Sequence, residues 1–390
     1  MMKNTTWADK PRFEILDGLR GVAALLVVSF HLLESYCGGD HTRQIVNHGY
    51  LAVDFFFVLS GFVIGYAYDD RLAKGLTPWG FFRRRLVRLH PMVVLGTLLG
   101  AALFYFGACD EWKLISQTSG LRLALVTAVC LTAVPIGTTL DIRGWAETNP
   151  LNGPVWSLQW EYLANILYAL VVRRFKTWML AALVLGSAFL TLNLALNWDV
   201  TRSLAVRDYA AFTVIGGWSL TEDQLLIGIS RLLYPFFAGL LLSRLKLTIP
   251  VRRGGFPLTA AMVVAALAMP YFAAPASPWV NGLYEAAVIL IAFPLIVSIG
   301  AGSRLPTGGG ATLCRFLGEI SYPLYMVHFP FVYMQKAWVM NHPSATFSQN
   351  AAVCLSCIFV SVVLAYAALK LYDLPARGWL GKVSLGFDRT

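Results

Sequence analysis

Charge is scarce in this chain: 13% of its 390 residues are Asp, Glu, Lys or Arg, against 57% hydrophobic. A soluble domain carries about twice that share of charge, so a water-soluble globular protein is excluded. Cysteine is sparse as well. The six (Cys37, Cys109, Cys130, Cys314, Cys354, Cys357) show neither metal-site spacing nor a disulfide framework. Cys354 and Cys357 fall one helical turn apart in an apolar run, as packing residues do. The first apolar run is too long, and too interrupted by Asp17 and Arg20, for a cleaved signal core; it is expected to stay as the first helix. No soluble domain, repeat array or coiled coil is visible. The Gly-rich LPTGGGAT at 305–312 lacks the Lys and Ser/Thr ending of a phosphate loop and reads as a linker. The net charge of +10 does not indicate nucleic acid, because the basic residues lie in short loops between apolar runs.

What is present is a series of apolar runs near spanning length: 15–36, 50–68, 86–107, 120–137, 153–172, 177–197, 224–243, 256–274, 281–300, 313–337 and 350–372. The chain reads as an all-α polytopic membrane protein. Sidedness follows from Lys and Arg, which accumulate in short cytoplasmic loops. With the N-terminus inside, 69–85 falls inside with its five basic residues. Eleven crossings would then put the basic loops at 173–176 and 243–255 outside. If 120–137 dips in and returns, both move inside, which predicts about ten transmembrane helices, one re-entrant segment, and cytoplasmic tails at 1–14 and 373–390. The outer connection 198–223, with Trp198, Asp199, Asp208, Tyr209, Trp218, Glu222 and Asp223, is compatible with carbohydrate binding or with an amphipathic segment on the outer leaflet.

Ionisable residues inside apolar helices are costly, so each marks a site or a partner. Arg20 and His31 are eleven residues apart in the first span. At about 100° and 1.5 Å per residue they share one helix face, about 16 Å apart along the axis. Asp17 precedes Arg20 by three and Glu34 follows His31 by three, which makes a polar stripe. Asp54 opens the second span at the depth of His31, so an Asp54–His31 dyad, with the carboxylate fixing the imidazole tautomer, stands beside a plain helix-cap role for Asp54. Arg83, Arg84, Arg85 and Arg88 surround the inner start of the third span. The first two suit a positive-inside anchor; Arg85 and Arg88, one turn apart, suit a bidentate clamp on an anion such as phosphate. Glu161 lies about 12 Å into its span with no cation in its own helix. His328 sits in ISYPLYMVHFPF with the hydroxyls of Ser321, Tyr322 and Tyr325 close by, and a buried core histidine is the plainer role. His41, His48 and His342 are in outer loops, and nothing suggests metal ligation.

In this order the stretches LDGLRGVAALLVVSFH (16–31), VDFFFVLSGFVI (53–64), FFRRRLVRLHP (81–91), PVWSLQWEYLANILY (154–168) and GEISYPLYMVHFP (318–330) resemble the acyltransferase-3 family of integral membrane O-acyltransferases. The resemblance implies about ten spans and transfer of an acyl group, commonly acetyl from acetyl-CoA, to a hydroxyl on an extracytoplasmic glycan or related acceptor. Its Arg and His fall on Arg20 and His31, its paired basic motif on Arg85 and Arg88, and its Trp-Ser-Leu stretch with a following Glu on Trp156, Ser157, Leu158 and Glu161. Where the commoner form has two glutamates, this chain has Trp160 before Glu161. Some relatives add an extracellular hydrolase-like domain, for which no residues are left over here.

The resemblance thus implies a membrane acyltransferase domain over 15–372, and the net positive inner surface with multiple spans implies a bacterial inner membrane. No cofactor is expected to be tightly bound, acetyl-CoA or another acyl-CoA being a co-substrate held by Arg85 and Arg88. His31 would act as general base, steadied by Asp54, with Arg20 or Glu161 orienting the reactants, and Asp17, Trp156, Ser157, Tyr322 and His328 supporting the site or the acceptor. Direct transfer and a covalent acyl-enzyme both remain open. The expected partners are acyl-CoA, a glycan or other hydroxyl acceptor, and membrane lipid, with no nucleic acid. The competing classes are a transporter or flippase, in which the same polar residues form a proton relay or substrate path, an inactive sensor, and an acyltransferase acting on a small natural product.

Overall fold

The computed structural model describes residues 12–200, 211–271, 277–305 and 308–387. Among them the regular structure is entirely helical: α1 (Glu14–Glu34), α2 (Ala52–Ala73), α3 (Pro78–Ala102), α4 (Lys113–Gln117), α5 (Gly120–Cys130), α6 (Val155–Leu170), α7 (Thr177–Ala195), α8 (Glu222–Leu245), α9 (Gly255–Ala268), α10 (Trp279–Ala287), α11 (Phe293–Gly302), α12 (Gly309–Val327), α13 (Phe329–Asn341), α14 (Phe347–Ala368) and α15 (Leu374–Phe387). Among the described residues, seven helical segments are long and apolar enough to cross a membrane, and α5 and α9 are shorter apolar helices. The protein is an all-α polytopic membrane protein.

Local chemistry sets the helix ends. Thr77 caps α3 by accepting from Gly80 N at 3.0 Å, with Pro78 in the first turn. Thr346 and Gln349 close a capping box at the start of α14. α5 is only eleven residues and ends at Cys130, a rise of about 16 Å, half the hydrocarbon core. That length suits a segment that does not cross.

Two helix pairs form the centre, α1 against α12 and α2 against α8. Both depend on glycine. A Cβ on Gly61 would lie 1.9 Å from Phe236 O, and one on Gly21 would lie 2.3 Å from Leu317 O, so only a bare Cα permits this approach, as in small-residue membrane packing.

Three sequence expectations are corrected here. The run 313–337 is two helices, broken at His328. Pro330 lacks the N–H that would reach Met326 O, and the freed carbonyl instead accepts from Asn152 Nδ2 at 2.9 Å. Pro294 is handled alike: the Leu290 carbonyl it frees accepts from Tyr234 OH at 2.6 Å, beside a π-helical turn at Val288–Ala292. Secondly, the helix of the run expected to end at 372 continues past it, α14 passing through a second π-helical turn, Leu369–Asp373, into α15. Thirdly, the outer connection is only partly a surface segment: Trp198, Val200 and Leu220 are exposed, but one stretch of it turns inward. Thr213, Val214, Ile215, Gly216 and Gly217 are buried, with Val214 N donating to Glu285 at 2.6 Å and Gly217 O accepting from Trp160 Nε1 at 3.0 Å. Asp208 and Tyr209 lie outside the described residues.

Candidate active site

Two polar clusters occupy opposite ends of α1. At one end, His31 is a quarter exposed and its Nδ1 faces Glu34 Oε2 at 3.9 Å, one turn along the same helix. Glu34 is held in turn by Lys336 Nζ of α13 at 3.1 Å. Lys336 lies 4.9 Å from the Trp145 ring centroid, and Trp145 packs on Tyr333. Neighbouring Gln335 fixes the join, accepting from Ser35 Oγ at 2.8 Å and donating to Leu32 O at 3.1 Å. The carboxylate beside His31 is therefore Glu34.

The ring of His31 stacks on that of His328, centroids 5.8 Å apart and planes 25° from parallel, with Phe329 edge-on at 4.9 Å. His328 is buried at the break between α12 and α13. Its Nδ1 lies 2.9 Å from Tyr325 O and 3.1 Å from Leu324 O. Carbonyls only accept, so Nδ1 carries the proton and Nε2 presents a lone pair. That Nε2 is buried and has no partner. Ser157 Oγ and Tyr325 OH are 2.8 Å apart just beyond, so Ser157 and His328 approach one wall through Tyr325.

The expected Asp54–His31 dyad is not formed. Asp54 is wholly buried and its carboxylate is taken by Arg231 of α8, with Nη2 at 2.7 Å and Nε at 3.2 Å. Arg231 also donates to Tyr50 O at 2.6 Å and Gly216 O at 2.9 Å, and lies 5.3 Å from the centroid of the Trp156 ring. The reason is electrostatic: a fully buried guanidinium requires a carboxylate, whereas a neutral imidazole does not. Arg231 was missed in the sequence, although an arginine inside the apolar α8 is itself the signal.

At the other end of α1, Arg20 pairs with Asp17 at 3.1 Å. Arg85 pairs with Glu161, which also accepts from Ser60 Oγ at 2.7 Å. This supplies the cation that Glu161 lacks in its own helix. It leaves the Nε of Arg85 buried without an acceptor. Arg88 is exposed and makes no hydrogen bond or ion pair among the described residues, yet it lies within electrostatic reach of Arg20, Arg85, Arg377 and Asp17. Tyr322 donates to Leu89 O at 2.5 Å and lies near Glu161 and Arg85. Trp160, in the place of a second glutamate, packs its ring where a Cβ on Gly228 would stand, a role in helix contact.

Between the outer helices, Glu147 is buried and accepts from Tyr333 OH at 2.5 Å. Burial pushes its carboxyl up to about 7. Arg143 stacks on Tyr333 with its guanidinium carbon 3.6 Å from the ring centroid. Among the described residues no group of His, Cys, Asp and Glu is arranged to hold a metal.

The bundle thus carries an imidazole pair at one end of α1 and clustered arginines at the other, and residues 13–367 match the acyltransferase-3 family through its acyltransferase domain. The chain belongs to that family. It is 23% identical over 347 residues to the peptidoglycan O-acetyltransferase OatA of Listeria monocytogenes, covering 85% of this chain and 51% of that protein. It is 39% identical over 166 residues to protein 2 in the picA locus of Rhizobium radiobacter, which is 40% of this chain and 81% of that one. Similarity to the acyltransferase MdmB of Streptomyces mycarofaciens is 27% over 186 residues, 44% of this chain and 43% of MdmB. The chain thus spans about half of the Listeria protein. No solved structure matches.

Proposed function

We propose that this multi-pass protein is an O-acyltransferase of the bacterial inner membrane that moves an acyl group, acetyl by preference, from acyl-CoA to a hydroxyl of a cell-surface or secreted glycan. The observation that carries the proposal is the spacing on α1: a reactive imidazole at His31 and an arginine cluster at Arg20, about 16 Å apart on one face. An acyl-CoA has the same two-ended character. Its phosphates suit Arg88 and its neighbours, and its pantetheine arm, an extended chain of two amide units, bridges toward His31. The similarity to a protein named peptidoglycan O-acetyltransferase supports a carbohydrate acceptor.

In the reaction, His31 takes the proton of the acceptor hydroxyl as that oxygen forms a bond to the thioester carbonyl carbon. The C–S bond then breaks and the imidazolium returns the proton to the departing CoA sulfur. Glu34 stabilises the imidazolium and holds the ring, and Lys336 holds Glu34. Arg20, Arg85 and Glu161 belong to the donor end and position the substrate; they do not touch the reacting atoms. Asp54 is a positioning residue acting through Arg231.

The test is mass spectrometry of surface and secreted glycans from cells expressing the wild type, His31→Ala, or neither. An acyl mass added only with the wild type establishes transfer and identifies the acceptor. Unchanged glycans, with protein present in the membrane, would refute the glycan acceptor. CoA release from purified protein with acceptor present separates an enzyme from a transporter.

A further inference from the structure

The helix that follows the family-matched region brings a fourth arginine to the donor end. α15 packs against α3, and two residues at their junction are unusual. Asp373, the last residue of the π-helical turn, has no solvent exposure. One of its carboxylate oxygens pairs with Arg377 Nη2 and the other has no partner. The side chain of Arg377 is 28% exposed, while its Nε is buried and unpaired. Both residues lie within electrostatic reach of Arg88. The π turn explains the placement. One residue inserted into a helix rotates everything after it by about 100°, which carries Asp373 and Arg377 from the lipid-facing line of α14 toward α3.

The charges do not balance. Arg20, Arg85 and Arg377 each have a carboxylate, in Asp17, Glu161 and Asp373, and Arg88 has none. The cluster keeps one uncompensated positive charge, and the Nε donors of Arg85 and Arg377 are both buried without acceptors. Buried donors left empty beside an unpaired guanidinium are costly to retain. A dianionic, many-oxygened ligand supplies acceptors for all of them in forked geometry.

We infer that Arg377, oriented by Asp373, joins Arg88 in binding a phosphate group of the acyl donor, so that α15 forms one wall of the donor site. The inference rests on acyl-CoA being the donor. Both are tested by titrating coenzyme A into the purified full chain in detergent. The variant is the double substitution Asp373→Asn/Arg377→Gln, which removes the cation without leaving an unpaired buried carboxylate.

The expected result is saturable binding by the wild type, with the double variant at least tenfold weaker and unchanged in melting temperature. Arg377→Lys, which keeps the charge but loses the fork, is expected to be three- to tenfold weaker. Wild-type affinity in the double variant overturns the role of Arg377 and leaves the donor intact. If the double variant does not run as a single species, Arg377→Lys decides: weaker binding supports the inference and wild-type affinity overturns it. A wild type that does not bind coenzyme A overturns the donor itself, and this inference with it.

Discussion

Arg231 holds Asp54 with Nη2 at 2.7 Å and directs its remaining donors to the backbone of Tyr50 and Gly216. One guanidinium thereby joins the start of α2, the middle of α8 and the outer connection. Asp54→Ala strands this cation in the interior, and breaking such a pair costs about 3–5 kcal/mol. The expected outcome is a large fall in melting temperature and yield. A variant that melts like the wild type but cannot transfer would return Asp54 to the chemistry.

His31→Ala is expected to lower kcat by about 10²- to 10⁴-fold, the range for a lost general base, with coenzyme A affinity retained. Glu34→Gln keeps the shape beside the imidazole but removes the charge. Its expected signature is a smaller loss of kcat with a displaced pH–rate profile. An unshifted profile would show that Glu34 serves Lys336 alone.

Arg88 and Arg85 are expected to separate. Arg88 has no carboxylate to strand, so Arg88→Ala should raise KM for acyl-CoA about tenfold, about 1.4 kcal/mol, at unchanged stability. Arg85→Ala exposes Glu161 to uncompensated burial and should lower the melting temperature as well. Matching effects of the two on stability would show that Arg88 has a structural partner.

Glu147 gives the fold a pH dependence. Burial raises its carboxyl from about 4.5 to about 7, against the nearby Arg143, Lys336 and Tyr333, which favour the charge, and with Asp141 opposing it. The folded state therefore binds more protons than the unfolded one between those values, and stability must fall as pH rises through that window. It is fully present below about 4.5. The span is equivalent to about 3 kcal/mol at most. Glu147→Gln should flatten the melting temperature between pH 5 and 7; an unaltered slope would assign that dependence to another group.

The all-α membrane architecture was legible because hydrophobic run length is local information, and so were Arg20, His31 and Glu161, whose cost in an apolar helix is visible in one segment. Pairings between segments were not. Nothing local to Asp54 distinguishes a histidine from an arginine 177 residues away, and the pair that forms is set by how close Gly61 lets α2 and α8 approach. The split at His328 was readable in principle from Pro330, but its repair by Asn152 is a tertiary contact. The turn that swings Arg377 toward α3 leaves no mark in composition or periodicity.

The buried stretch from Thr213 to Gly217 has a consequence for engineering. Its carbonyls and amides are already committed to Arg231, Trp160 and Glu285, so it behaves as a keystone and not as an exchangeable module. A chimera that imports the outer connection of a relative to change acceptor preference would have to import the matching groups on α6, α8 and α10 too. Grafts that respect this boundary would keep the fold; grafts that cut through it would dismantle the arch before any substrate arrived.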